Sequence, residues 1–333
     1  MKYYLIIDIG GTKTTSAVFN DQGEPITEFK VKKSRTYEGE DAVFQNTVEL
    51  AYEVLKEAGK TKKDLAGVGV AAPGPLDYRT GLIIDVPMMG WKNFPLGDRL
   101  KEEFDVPVYV ENDGNLGALA EANVGVAKGE NVVLYQTIST GCGGGIAING
   151  EIYHGRSGFA GEFGHMTINF AGPSCGCGGS GCFELYASGT AVNRRMKRDI
   201  RCGIKSKAFE GIEYDPEKVN GKFLTEAAAE GDAYAIDMLR QEGYYIGVGL
   251  SNLINLLDPD VIVLAGGMAK AYPYFRYSMM DEIRRHACFP FEEDRIRVSE
   301  LNDKVVAYGA YVMVKKEILL VKSRTFSFTL DFP

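Results

Sequence analysis

The sequence has no uninterrupted apolar stretch approaching the length that spans a bilayer. Its opening apolar run, Tyr3–Ile9, is cut by Asp8 before it reaches the length of an export signal's core. Both absences lead to the expectation of a cytoplasmic protein. A surplus of positive charge is missing too. The 37 lysines and arginines face 45 aspartates and glutamates, a net charge of −8, whereas a general nucleic-acid binder needs the opposite balance to displace counterions. The short basic runs Lys60–Lys63 and Arg194–Arg198 are expected as solvated faces of helices or turns. The P-loop pattern ending in Gly-Lys-Ser/Thr is absent, and so is a dinucleotide fingerprint opening a helix. Cysteine is sparse, six in 333 residues. Yet Cys175, Cys177 and Cys182 fall close together, and in a reducing compartment such a cluster reads as metal ligation rather than disulfides. The scattered Cys142, Cys202 and Cys288 are expected to be buried.

Glycine is what the chain has in plenty. Forty of them cluster in loops, which suggests backbone that approaches something closely. Hydrophobic residues at 45% and charged residues at 25% are the balance of a globular protein, and the length allows two domains or one two-lobed unit. Tyr3–Ile9 reads as a buried strand, Gly10–Thr14 as a glycine loop and Ser16–Phe19 as a returning strand. Apolar Phe44, Val48, Ala51, Leu55 and Ala58 recur at helical steps and predict a helix closed by Gly59. Strands are expected at Leu65–Ala72, broken by Pro73-Gly74-Pro75, and at Val108–Glu111, followed by a helix through Asn123. The second half repeats the plan. Val132–Ile138 reads as a strand, Thr140–Gly145 as a glycine loop and Ile146–Ile148 as a strand; a helix through Tyr244–Leu257 leads into the strand Val261–Ala265, closed by Gly266-Gly267. This repetition suggests an internal duplication with one lobe per half and a ligand cleft between them. The expected segments are 1–118, 119–300, and a C-terminal segment 301–333 packing back on the first lobe.

Asp8 ahead of Gly10-Gly11-Thr12 has two readings, a tight hairpin or a phosphate cradle. In the second, glycine amides and the hydroxyls of Thr12 or Thr14 hold phosphate oxygens, while the aspartate acts through Mg²⁺. Pairing it with Thr140–Gly145 and Gly266-Gly267 favours the cradle. Glu111-Asn112-Asp113 ends a strand, where α/β sheets bind ligands; the plainer alternative is an N-cap by Asn112 or Asp113. His165 with Cys175, Cys177 and Cys182 offers the one imidazole and three thiolates of a structural zinc shell, in a loop that Gly176, Gly178, Gly179 and Gly181 let wrap around a small ion. Glu162 and Glu184 flank that loop, and each alone reads as a surface acid.

Taken in order, Asp8-Ile9-Gly10-Gly11-Thr12-Lys13, Glu111-Asn112-Asp113, Thr140-Gly141-x-Gly143-Gly144-Gly145, Glu162-x-Gly164-His165 and Cys175-Gly176-Cys177-Gly178-x-x-Gly181-Cys182-x-Glu184 resemble the ROK family (repressors, open reading frames and kinases) of the actin-like ATPase superfamily. The resemblance runs from about residue 3 to about 315 and takes in the helical signature Ala228-Ala229-x-Gly231-Asp232-x-x-Ala235. It implies an α/β, two-lobed actin-like fold and an ATP-dependent, glucokinase-type hexose kinase acting on the 6-hydroxyl. Asp113 would be the general base. Asn112, Asp113, Glu162, His165, Glu184 and Gly74 would hold the sugar. Asp8, Gly10, Gly11, Thr12, Lys13 and Thr14 would serve ATP and Mg²⁺, together with Thr140, Gly141, Gly143, Gly144, Gly145, Gly266 and Gly267. Zinc would sit on His165, Cys175, Cys177 and Cys182, and the chain would form a homo-oligomer, a dimer first.

Other substrates of the resemblance are N-acetylmannosamine, N-acetylglucosamine, fructose and β-glucosides, and polyphosphate is another donor. A sugar-responsive regulator is the reading from a different class. With the hairpin starting at Tyr3, no helix-turn-helix domain is expected ahead of it. Two features depart from the family. Val86-Pro87-Met88-Met89 stands before Gly90-Trp91 where family glucokinases carry Asn-Leu, although Trp91 is expected to offer an apolar face to a sugar ring. The tail Ser323–Pro333, with Phe326, Phe328 and Phe332, extends past the pattern.

Overall fold

The computed structural model describes residues 2–328, with side chains through 321. Strands β1 (Tyr3–Ile9), β2 (Lys13–Asn20) and β3 (Lys30–Lys33) come first, followed by helix α1 (Glu40–Glu57). Next are β4 (Leu65–Ala72), β5 (Leu76–Asp77), β6 (Leu82–Val86), β7 (Trp91–Phe94), α2 (Leu96–Phe104), β8 (Val108–Asn112) and α3 (Asp113–Asn123). The second group comprises β9 (Val132–Ile138), β10 (Cys142–Ile148), β11 (Glu151–Ile152), α4 (Glu184–Ala187), α5 (Gly189–Arg201), α6 (Lys207–Glu210) and α7 (Gly221–Ala229). It closes with α8 (Ala233–Leu257), β12 (Val261–Ala265), α9 (Tyr272–His286) and β13 (Ile296–Val298), before the final helix α10 (Val305–Phe328).

These elements form two compact units. One comprises residues 1–124, 152–160 and 303 onward; the other comprises 125–151 and 161–302. The division comes after residue 124 rather than 118 because α3 is continuous through Asn123.

Each unit has a five-stranded sheet, ordered β3-β2-β1-β4-β8 in the first and β11-β10-β9-β12-β13 in the second. In both, an antiparallel hairpin (β1/β2, β9/β10) is extended by parallel strands (β4 and β8, β12 and β13). The duplication suggested by the glycine loops is thus present as repeated topology. The first sheet is covered on both faces, so β1 is nearly continuous in apolar residues. Alternation sorts them: Leu5, Ile7 and Ile9 join α1 and α2 in one core, whereas Tyr4 and Ile6 join α3 and α10 in another. Helix α10 sits tightly on β4 at Gly69, where an added Cβ would collide with the Ala310 carbonyl.

Several expectations need correction. Most of the second glycine stretch is strand rather than loop: β10 begins at Cys142, and only Ser139–Gly141 turns. Trp91 is fully buried, stacked on Phe94 at 4.7 Å with its Nε1–H donated to the Glu40 carbonyl, so it offers no face to a ligand. Cys202 and Cys288 are exposed, not buried. Arg195 is buried on α5, not solvated. The aromatic side chains of the tail Ser323–Pro333 lie outside the described residues.

Candidate functional site

In the first unit, the carboxyl ends of three parallel strands bring the expected residues to one sheet edge. Register pairs Asp8 with Ala71 and Ala72 with Asn112, so Asp8, the Pro73-Gly74 turn and Asn112-Asp113 lie side by side. The β1–β2 tip is held from below. Gly10 N–H donates to the Lys13 carbonyl at 2.9 Å, and Ser34 latches both sides, its Oγ donating to the Gly10 carbonyl at 2.5 Å and its N–H to the Thr12 carbonyl at 3.0 Å. Thr14 is buried and its hydroxyl pairs with Ser34 at 3.2 Å. Thr14 thus points inward near the start of β2 as a support, while Thr12, in the turn ahead of the strand, and Lys13 are exposed. A Cβ at Gly10 would sit 2.9 Å from the Lys13 carbonyl, so backbone crowds that position, whereas one at Gly11 would meet only the end of the exposed Met88 side chain.

Asn112 does cap α3, its Oδ1 accepting the Gly114 N–H at 2.8 Å. Its amide nitrogen faces Gly74, where an added Cβ would lie 3.4 Å away. Asp113 Oδ1 accepts the same Gly114 N–H at 2.8 Å, which fixes its carboxyl. That carboxyl is reachable by solvent yet crowded by protein, and partial loss of hydration raises its pKa against the pull of the Gly114 and Asp113 amides. Asp8 is pushed up to about 7, first by burial and then by the Asp113 charge, with Lys13 partly offsetting both. The Asp113 charge thus bears on Asp8 across the carboxyl ends of the parallel strands, and carboxylate oxygens are donors of the kind that suit Mg²⁺.

In the second unit, α5 grips the β9–β10 turn. Gly189 N–H donates to the Ser139 carbonyl at 2.7 Å, and Thr190 donates its Oγ1–H and N–H to the Thr140 carbonyl at 2.7 and 3.2 Å. Thr140 and Gly141 form the exposed tip, and Gly143 follows on β10, its carbonyl accepting from the buried Gln136 amide at 2.9 Å. Gly144 and Gly145 have a different task, since they lie under the 161–164 turn, where a Cβ on Gly144 would strike Phe163. Gly266 has φ +87° and packs against the Ile138 carbonyl, whereas Gly267 has open space beside it.

That 161–164 turn carries Glu162 and leads to His165, both exposed. His165, Cys175, Cys177 and Cys182 place their ligand atoms within 4.8 Å of one another. His165 Nδ1 is 3.7 Å from Cys175 Sγ, and Cys177 Sγ is 3.5 Å from Cys182 Sγ. Tetrahedral zinc with bonds near 2.3 Å sets sulfur–sulfur edges of about 3.7 Å, so the four groups fit that ion. Positive φ at Gly178 and Gly181 closes the loop, and Gly181 lies against Asn169 where no side chain fits. Glu184 opens α4 with its Oε1 3.5 Å from His165 Nδ1 and 3.4 Å from Cys175 Sγ.

Three supporting residues escaped the sequence reading. Ser34 gave no signal. Glu111, read only as part of its motif, is buried and bound to His154 at 2.6 Å. Arg195 donates to the Tyr186 carbonyl at 2.6 Å and to buried Glu242 at 2.5 Å, fixing the helix that Glu184 begins. Burial pushes Glu242 up to about 8 despite Arg195 beside it. The helical period of Ala191, Val192 and Met196 places position 195 on the buried face, a signal that was available.

A sequence model described as the ROK family matches residues 4–317. A glucokinase of Halalkalibacterium halodurans is 36% identical over 95% of this chain and 96% of its own length. A xylose repressor of Bacillus spizizenii is 33% identical over 71% of this chain, which spans 57% of the repressor. Among solved structures, a ROK family glucokinase from Streptomyces griseus in complex with glucose and AMPPNP is 29% identical with a TM-score of 0.78, covering 92% of this chain and 97% of that one.

Proposed function

The chain belongs to the ROK family, and we propose that it transfers the γ-phosphoryl group of ATP to a hexose hydroxyl, the 6-hydroxyl of glucose first among the candidates. The observation that carries this reading is the pair Asp8 and Asp113. They lie at the carboxyl ends of parallel strands, with the Asp113 charge bearing on Asp8, beside the glycine tip of the β1–β2 hairpin. Asp113, held by the Gly114 amide, takes the proton of the attacking hydroxyl as its oxygen bonds to phosphorus and the bond to the β-phosphate oxygen breaks. Asn112, which precedes that carboxyl in the chain, and Gly74 beside its amide orient the sugar. Gly11 and Thr12 would present amides to phosphate oxygens, with Lys13 beside them and the Gly10 N–H closing the turn on the Lys13 carbonyl, and Asp8 would hold Mg²⁺, which neutralises phosphate charge when bound. In the second unit, Thr140, Gly141, Gly143 and Gly267 serve the nucleotide, while Glu162, His165 and Glu184 serve sugar hydroxyls. One zinc on His165, Cys175, Cys177 and Cys182 fixes the backbone between the last two.

A regulator that binds sugar without turning it over is the competing reading, and similarity to the xylose repressor is what favours it. The end-to-end match to a glucokinase supports the kinase instead. A coupled ADP-release assay over a hexose panel separates the two. Sugar-stimulated ADP release is expected; a sugar that raises the melting temperature while no sugar releases ADP would overturn the kinase.

A further inference from the structure

We infer that His154 is a positioning residue for the proposed kinase reaction, tying the turn that presents Asn112 and Asp113 to the loop that follows Gly74. The inference rests on the kinase reading. His154 lies in 152–160, a stretch that belongs to the first unit although the chain on either side of it belongs to the second. Its Nε2–H donates to Glu111 Oε2 at 2.6 Å. Its ring stacks on Tyr78, centroids 3.6 Å apart and planes 7° from parallel.

Glu111 is 2% exposed. Its other oxygen accepts the Asn112 N–H at 2.8 Å and the Asn115 amide at 3.0 Å. The carboxylate therefore clips the last residue of β8 to the first turn of α3, and Asp113 lies between the two clipped points. Three donors satisfy this buried carboxylate. Removing one leaves a desolvated acceptor short of a partner, so the remaining bonds must redistribute. On its other side, His154 holds Tyr78, the residue that follows β5 (Leu76–Asp77) after Gly74. Arg79 adds a bond to the Arg156 carbonyl at 3.4 Å, and Gly158 lies under the Tyr78 ring. The segment is thus fastened to the Gly74 loop at several points and to the Asp113 turn through His154.

Two variants separate the contacts. His154→Phe keeps a flat ring for Tyr78 and removes the donor to Glu111; His154→Gln keeps a donor and removes the ring. Turnover of the best hexose is measured for the full chain, together with KM for sugar and ATP and a thermal melt. His154→Phe is expected to lower kcat about ten- to a hundredfold, as a slight misplacement of a catalytic group does, with KM for ATP within about twofold. His154→Gln should retain most of kcat, and its rescue marks the hydrogen bond rather than the ring as the working contact. A folded His154→Phe with wild-type kcat overturns the inference, as does equal loss in both variants that tracks only the folded fraction. Should His154→Phe be recovered unfolded, a cycle of His154→Leu, which removes the donor, with Glu111→Gln reads the same contact; non-additive effects on kcat support it and additive ones overturn it. Wild-type protein that turns over no hexose overturns the kinase reading and this inference with it. Equal kcat in wild type and folded His154→Phe overturns the inference alone.

Discussion

Asp113 has a capping role and a proposed chemical role that one substitution separates. Asparagine caps a helix about as well as aspartate, and the shape of the site is kept in Asp113→Asn, but the proton acceptor is gone. The rate of hexose phosphorylation should fall roughly a hundred- to ten-thousandfold, with the melting temperature nearly unchanged; near-normal turnover would return Asp113 to the status of a cap. Asp8 makes a second prediction through its sign. Its pKa is raised from 3.8 to about 7 in the folded chain. The unfolded chain therefore releases this proton at lower pH than the folded one, and the group's contribution declines as pH rises from about 4 to about 7. Above pH 7 the folded state is less stable by up to about 4 kcal/mol on this account. Asp8→Asn should then melt higher than wild type at pH 8 without Mg²⁺ and near parity at pH 4.5. The same titration should make wild-type kcat/KM fall as pH drops below about 7, because the neutral acid no longer holds the cation. Residue types alone could not sort Thr14 from Thr12, nor show that Trp91 is core. The first depends on where the turn gives way to β2 and on Ser34 lying against Thr14, the second on which side of β7 faces inward, and both are fixed only when the neighbouring elements are in place.

At the scale of elements, strands were legible where apolar runs are bounded by glycine or proline. Leu65–Ala72, Val132–Ile138 and Val261–Ala265 have the bounds expected of them. The error at Gly143–Gly145 has a physical cause. Glycine is read as loop because it is permissive, but here it also sits within a strand so that the 161–164 turn can close onto it. The Cys-rich loop was legible because ligand spacing needs no tertiary context. We expect one zinc per chain by elemental analysis. Cys182→Ser, which alters a buried ligand, should lose the metal and speed hydrogen exchange through residues 173–184, since metal binding of this kind contributes on the order of ten kcal/mol to local order. Zinc-free protein with unchanged exchange would exclude the site. Gly69 tests packing in the same spirit. Gly69→Ala drives a methyl into the Ala310 carbonyl of α10 and should cost about 1–3 kcal/mol in urea unfolding, whereas a neutral result would mean that α10 can shift on β4 freely.

Across the whole molecule, the same strand order occurs twice, and the resemblance to the ROK family spans both copies. The repeat was legible because each copy opens with a strand, a glycine turn and a returning strand. The interleaving of the units was not, because residues 152–160 carry no motif and their placement depends on single contacts such as that of His154. The Asp113→Asn protein separates sugar binding from turnover. If Asn112 and Gly74 bind the sugar while Asp113 handles its proton, the variant should bind nearly as well as wild type. A ligand that binds only the folded state stabilises it by RT ln(1 + [L]/Kd), about 2.7 kcal/mol at a hundredfold excess over Kd. For a chain of 333 residues that is a rise of a few degrees in melting temperature. Equal rises in wild type and variant, with ADP release only from wild type, are the result expected of a kinase whose base has been removed. A rise in both with release from neither would mark a sugar-binding regulator. If the rise vanished in the variant, Asp113 would be needed to hold the sugar, and the loss of rate would no longer measure proton transfer.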